Sequence, residues 1–274
     1  KTHILQVIGQ WITNPKSHGN VLALQGPMGN GKTTLVKEGI AKAIGRPFAF
    51  IALGGTSDSS FFDGHSYTYE GSHWGRIIDI LMSCKCMNPI IYFDELDKVS
   101  ETSRGLEIIN LLIHLTDPAQ NSHYQDKYYG DIPFDLSKAL FVFSFNNINR
   151  VNPILRDRMN LIKVDGFTFD EKLKISSDFL LPSILKEYNI MKDEILFSDD
   201  ILKYIINKND MNNQKEEGVR GIKKRIETIV SNINVIKIAF MKQKKKENQS
   251  QTIKKRLRKK QKTANNNNDE TLVV

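Results

Sequence analysis

Residues 21–33 read VLALQGPMGNGKT: five β-prone residues, a glycine-rich turn, and a Gly-Lys-Thr that opens a helix. The last eight residues fit G-x-x-x-x-G-K-[ST], and they stand between a strand and a helix, where that pattern has a mechanical meaning. Working outward, Leu35, Ile40, Ala43 and Ile44 mark one face of the helix that follows. Further short apolar runs recur at 47–53 (PFAFIAL), 89–93 (PIIYF), 139–145 (ALFVFSF) and 161–166 (LIKVDG), with helix-like segments around 77–81 and 106–115 between them. Strands alternating with helices predict an α/β fold, a doubly wound parallel sheet covered on both faces. From Asp170 the strand signal stops and helical stretches follow at 170–188, 198–208 and 217–241. The expected organisation is an α/β domain over 1–168, a small all-helical domain over 169–241, and a disordered basic tail over 242–274.

The loop dictates its chemistry. Gly26, Gly29 and Gly31 let the backbone of Gly26-Pro27-Met28-Gly29-Asn30-Gly31 wrap phosphate oxygens with N–H groups inward, and the helix start adds favourable potential for an anion. Lys32 is placed to reach the β and γ phosphates of a nucleotide, Thr33 to offer its hydroxyl to Mg2+, and Thr34 to pack or line the α-phosphate side. The strand IIYF delivers Asp94 and Glu95 to the carboxyl edge of the sheet, beside that loop. Asp94 is the expected magnesium partner, and Glu95 the group that polarises an attacking water. FVFSF ends in Asn146-Asn147, and either amide could orient that water. The expected ligands are ATP and Mg2+.

Charge does not mark the folded part. The formal net charge is +8, but eleven of the 39 Lys and Arg and only three of the 31 Asp and Glu fall in 242–274, which leaves 28 of each in 1–241. Cys84 and Cys86, the only cysteines, have neither the number nor the spacing of a zinc site or disulfide framework, and read as reduced thiols on a helical stretch. No apolar run reaches the roughly 18 residues of a membrane span, and KTHILQVIGQW is not a signal peptide. The expected setting is intracellular, in cytoplasm or an organelle matrix, with no membrane partner. Lys1 stands where a Met would begin a whole chain, inside a helix-like run, so the sequence reads as a piece of a longer one.

The order of these motifs resembles the AAA+ superfamily of P-loop NTPases, and the wording between them is similar to the ATPase module of the Lon protease family. The strings are IALGG (51–55), GHSYTYEG (64–71), GRII (75–78), NPIIYFDELDK (88–98), TDPAQN (116–121), PFDLSKALFVF (133–143), LRDRMNLI (155–162) and EEGVRGIKKRI (216–226), so the resemblance covers about residues 1–241. It implies that Asn146 is the sensor-1 amide, that Arg158 is an arginine finger reaching a neighbouring subunit, and that Arg220 is the sensor-2 arginine. It also implies that Tyr69 presses on an extended polypeptide in the pore of a ring of six. Glu70 follows Tyr69 where the family is usually apolar, Trp74 is unexpected nearby, and Arg156 adds a charge beside Arg158. Lon proteases carry a serine-lysine proteolytic domain beyond this point. Ser250, the only serine after residue 241, lies in the basic tract, so this chain is expected to hydrolyse ATP and cut no peptide bond.

Two functions follow. The resemblance implies an ATPase motor that unfolds and translocates protein substrates as a homo-hexamer. The alternative is a nucleic-acid remodeller of clamp-loader or helicase type, gripping phosphates through residues 242–262.

Overall fold

The computed structural model describes residues 5–6, 9–10, 13–14, 21–56, 58–191, 194–212, 217–240 and 242. The basic tail, apart from Lys242, and most of the expected N-terminal helix lie outside the described residues. The chain divides into two compact units. One is Lys1–Thr168 with Glu217–Arg220; the other is Phe169–Glu216 with Gly221–Val274.

In the first unit five strands form one parallel sheet: β1 (Val21–Gln25), β2 (Phe48–Ala52), β3 (Ile90–Asp94), β6 (Leu140–Phe145) and β7 (Asn160–Lys163), in the order β2-β3-β6-β1-β7. A parallel sheet covered on both faces needs apolar residues at successive positions, and β6 is buried from end to end. Alternate residues feed two cores. Val21, Ala23, Ile91, Phe93, Phe141, Phe143 and Phe145 pack with α3 (Arg76–Cys84) and α4 (Ser103–Thr116) through Ile77, Ile80, Ile108 and Leu112. Leu22, Leu24, Ile90, Tyr92, Leu140 and Val142 pack on the other face against Val36, Ile40 and Ala41. Those three belong to α1, a continuous helical stretch that opens as Lys32–Thr34, widens to π geometry over Leu35–Ala41 and closes as Lys42–Ile44.

The remaining elements of this unit are short: α2 (Ser60–Asp63), α5 (Pro153–Asp157), and an antiparallel pair, β4 (Tyr124–Gln125) with β5 (Pro133–Phe134). That hairpin has no counterpart in the sequence reading, because two-residue strands carry no periodicity. α3 ends at Cys84, where Lys85 takes a left-handed conformation (φ 52) and donates its N–H to the Leu81 carbonyl. The C-x-C pair therefore straddles a helix end instead of lying on a helix. Both thiols are free, and burial raises the Cys84 pKa.

The second unit is helical in its described residues. Phe169–Ile175, Ser176–Leu180 and Leu181–Glu187 run on as α6, again with π geometry in the middle, followed by α7 (Asp199–Asn212) and by the helix over 220–240, which lies in this unit from Gly221 on. Ile222, Ile226 and Val230 are buried at four-residue spacing, and Ile184, Leu185, Leu202, Ile205 and Ile206 are buried with no strand to cover.

Phe143 is fully buried and stacks on Phe93 with ring centroids 4.8 Å apart. Phe143→Ala is expected to destabilise the first unit by about 3–5 kcal/mol, read from the denaturant midpoint of its unfolding.

A candidate nucleotide site at the carboxyl edge of the sheet

The glycine-rich loop leaves β1 at Gln25 and stays tied to the sheet. The Gly26 N–H donates to the Phe145 carbonyl at 3.3 Å, and the Asn30 amide donates to the Val164 carbonyl at 2.9 Å. A Cβ on Gly26 would lie 2.2 Å from that same carbonyl, so the end of β7 leaves room for glycine alone. Gly31, at φ 80, takes the left-handed backbone region that glycine adopts without strain. Pro27 is half-buried, while Met28 and Thr34 are exposed. An open cleft of about 360 Å³ adjoins the loop, lined by Gly26, Pro27, Asn146, Val164, Gly166 and Glu217.

Lys32 is buried and its ammonium donates to the Gly26 carbonyl (2.8 Å), the Pro27 carbonyl (3.0 Å) and Asn146 Oδ1 (3.1 Å). Three donors meet three acceptors. Burial lowers the Lys32 pKa, and the Asp94 and Asp97 carboxylates oppose that shift. The structure thus brings Lys32 and Asn146 into contact across 114 residues, because β6 enters the sheet directly beside β1.

Asp94 closes β3 and accepts from the Ser144 hydroxyl. Glu95 is exposed and left-handed at φ 60, with its N–H on Asp94 Oδ1 at 3.1 Å; the carboxylate lies against Gly54, where a Cβ would come within 2.2 Å of it. A non-glycine residue in that region is strained, and such strain gathers at functional positions. Asp97, which the sequence reading passed over, is a structural tie. It is buried, and its Oδ2 accepts from the Asn146 and Asn147 N–H groups at 3.2 and 3.0 Å. The strand end bearing Glu95 thereby holds the turn bearing Asn146. The signal was available in DELD, but the partner of a carboxylate cannot be read from its own neighbourhood.

The remaining expected site residues come from other segments of the chain. The Arg158 guanidinium donates to the Ile113 carbonyl (2.7 Å) and pairs with Asp117 (3.2 Å), at the end of α4. Arg156 is exposed. Arg220 is exposed too, next to Val219, whose N–H donates to the Gly29 carbonyl at 3.1 Å. Tyr67 and Tyr69 are each 70% exposed, on a loop that ends in Glu70 and Gly71. The loop base is fixed: the His65 N–H donates to the His73 carbonyl, and the Gly75 N–H to Asp126 Oδ2 at 2.8 Å. Trp74 packs on Tyr128 and Tyr129 with centroids 5.9 and 6.5 Å away, so it anchors this loop to the unforeseen hairpin.

Comparison with known proteins agrees with this geometry. The model of the AAA family, "ATPase family associated with various cellular activities", matches residues 22–166. The chain is 40% identical over 236 residues to a Lon protease homolog of Acanthamoeba polyphaga mimivirus, which covers 86% of this chain and 23% of that protein. It is 40% identical over 218 residues to a Lon protease of Helicobacter pylori (strain ATCC 700392 / 26695), covering 80% and 25%, and 38% identical over 226 residues to one of Methanosarcina barkeri (strain Fusaro / DSM 804), covering 82% and 27%. The chain thus spans about a quarter of the length of these curated relatives. With the glycine loop, the two carboxylates and the asparagine gathered at one edge of a five-stranded parallel sheet, the chain belongs to the AAA family of ATPases, as a module related to the ATPase part of Lon proteases.

Proposed function

We propose that this chain hydrolyses ATP and uses the cycle to pull and unfold protein substrates, as the motor of a Lon-like machine assembled as a homo-hexamer. The observation that carries the reading is the meeting of Lys32 and Asn146 at the sheet edge where β3 ends in Asp94 and Glu95. ATP phosphates in the open loop would exchange with the Gly26 and Pro27 carbonyls for the Lys32 ammonium. Glu95 accepts a hydrogen bond from the attacking water and Asn146 orients it, while Lys32 balances charge on the transferring phosphoryl.

The Thr33 hydroxyl and the Asp94 carboxylate are hard oxygen donors, few in number, and suit Mg2+, which retains waters and shares phosphate oxygens; among the described residues no cluster of three or more His, Cys, Asp and Glu could build a protein cage for another metal. Bound there, the ion neutralises phosphate charge. Arg158 is assigned as the finger offered to a neighbouring subunit, with Asp117 and the Ile113 carbonyl fixing its fork. Arg220 is assigned to sense nucleotide, and its place beside Gly29 supports that role. Exposed Tyr69 on an anchored loop supports a polypeptide grip, and Glu70 beside it favours basic stretches of substrate.

Casein should stimulate steady-state ATP hydrolysis by the full chain. Glu95→Gln is expected to lower kcat by roughly a hundredfold or more, and Tyr69→Ala to abolish stimulation while sparing basal turnover. Stimulation by DNA or RNA, with casein inert, would move the assignment to a nucleic-acid remodeller. A finger supplied in trans makes a second demand. Arg158→Ala should lose about a thousandfold in kcat, and an equimolar mixture with Glu95→Gln chains should regain part of the activity, because an intact Glu95 site beside a Glu95→Gln chain then meets an intact Arg158. Two inactive proteins that stay inactive when mixed would place Arg158 in a structural role.

A further inference from the structure

A tyrosine hydroxyl sits in the apolar face of the sheet under α1. Tyr92 is fully buried among Leu22, Leu24, Ile90, Leu140 and Val142, with Phe48 and Phe50 each 5.9 Å away ring to ring. A phenylalanine would fill this place at no polar cost, whereas a buried hydroxyl without partners is destabilising. Tyr92 has partners. Its oxygen accepts from Thr33 Oγ1 at 3.3 Å, and Ser144 and Asp94 lie beside it. Ser144 is itself fully buried and gives its proton to Asp94 Oδ1.

Valency sets the direction of this chain of hydroxyls. Each hydroxyl owns one proton. The Ser144 proton goes to the Asp94 carboxylate, so the Ser144 oxygen accepts. The Tyr92 oxygen accepts from Thr33, so its own proton points away from Thr33, on the side of Ser144 and Asp94. Giving its proton to the Tyr92 oxygen leaves the Thr33 lone pairs free. A hydroxyl that serves as a metal ligand needs this arrangement: lone pair toward the cation, proton accepted from behind.

We infer that Tyr92 is a positioning residue for the magnesium site, orienting the Thr33 hydroxyl and linking it through Ser144 to the carboxylate of Asp94. The inference rests on the reading of Thr33 and Asp94 as the pair that holds Mg2+. Its origin is geometric. Tyr92 and Asp94 are two residues apart on β3 and share a face, Ser144 lies on the adjacent strand, and Thr33 opens the helix above them. The two assigned metal donors, 61 residues apart in sequence, are thereby each held by a hydroxyl contact on this face of the sheet.

The test is equilibrium binding of a fluorescent ADP analogue to the full chain, titrated with free Mg2+ from a metal-free start, so that no turnover enters the readout. In the unsubstituted chain Mg2+ should tighten ADP. Tyr92→Phe keeps the ring and is expected to raise the Mg2+ concentration for half-maximal tightening by roughly tenfold, with metal-free ADP affinity held within about twofold. Ser144→Ala should shift it in the same direction by less, and the double variant should be no worse than Tyr92→Phe, since one broken link already opens the chain. An unchanged Mg2+ dependence in Tyr92→Phe overturns the inference, as does equal weakening of metal-free and magnesium-bound ADP. If the unsubstituted chain binds ADP without regard to Mg2+, the assignment of Thr33 and Asp94 itself falls, an outcome distinct from the other two.

Discussion

The insertion of β6 between β1 and β3 is the constraint on which the rest depends. Residues 140–145 arrive more than a hundred positions after β1 and pair with it in parallel along their length, Val21 with Phe141 through Gln25 with Phe145. Parallel pairing sets all the carboxyl ends on one edge, so the ends of three strands must deliver Gly26, Asp94 and Asn146 side by side. Burial of β6 on both faces makes the placement stable: Phe141, Phe143 and Phe145 enter one core, Leu140 and Val142 the other. A slip of one residue would exchange those faces and turn Ser144 away from Asp94.

Polar ties then refine what the sheet positions. Asp97 reaches from the turn after β3 to the backbone after β6, and Lys32 reaches from α1 to Asn146. Asp94 accepts the hydroxyl of Ser144, and Thr33 gives its own to Tyr92 on the same strand. Each tie joins a different pair of elements around the glycine loop. Burial works against the charged form of Lys32, and the nearby carboxylates counter it, which keeps a cation at the loop where phosphate charge would gather.

The loop carrying Tyr67 and Tyr69 shows the opposite design. Its tip is exposed and its base is held by Asp126, Trp74 and the aromatic rings of the hairpin, with Tyr129 also packed on Phe134. Asp126 is wholly buried and accepts from two backbone N–H groups, those of Gly75 and Tyr128. Trp74, unexpected in the sequence, has a use here: it ties the base of the loop to the rings of Tyr128 and Tyr129.

The sequence by itself determined the five strands of the sheet, the glycine loop and the two carboxylates at the end of β3. Those features are local: a left-handed backbone position asks for glycine, and a strand covered on both faces must be apolar throughout. Strand ends were legible to within a residue or so for the same reason, save β7, whose last residues turn away to serve Asn30. The tertiary structure alone decided the order of strands, the two-residue hairpin, the tie from Asp97 to Asn146, the partners of Arg158, and the hydroxyl contacts of Thr33 with Tyr92 and of Ser144 with Asp94. Each of these joins residues far apart in sequence through one or two hydrogen bonds. A hydrogen bond leaves no periodic trace in the chain; it exists only once the backbone has brought its donor within about 3 Å of its acceptor.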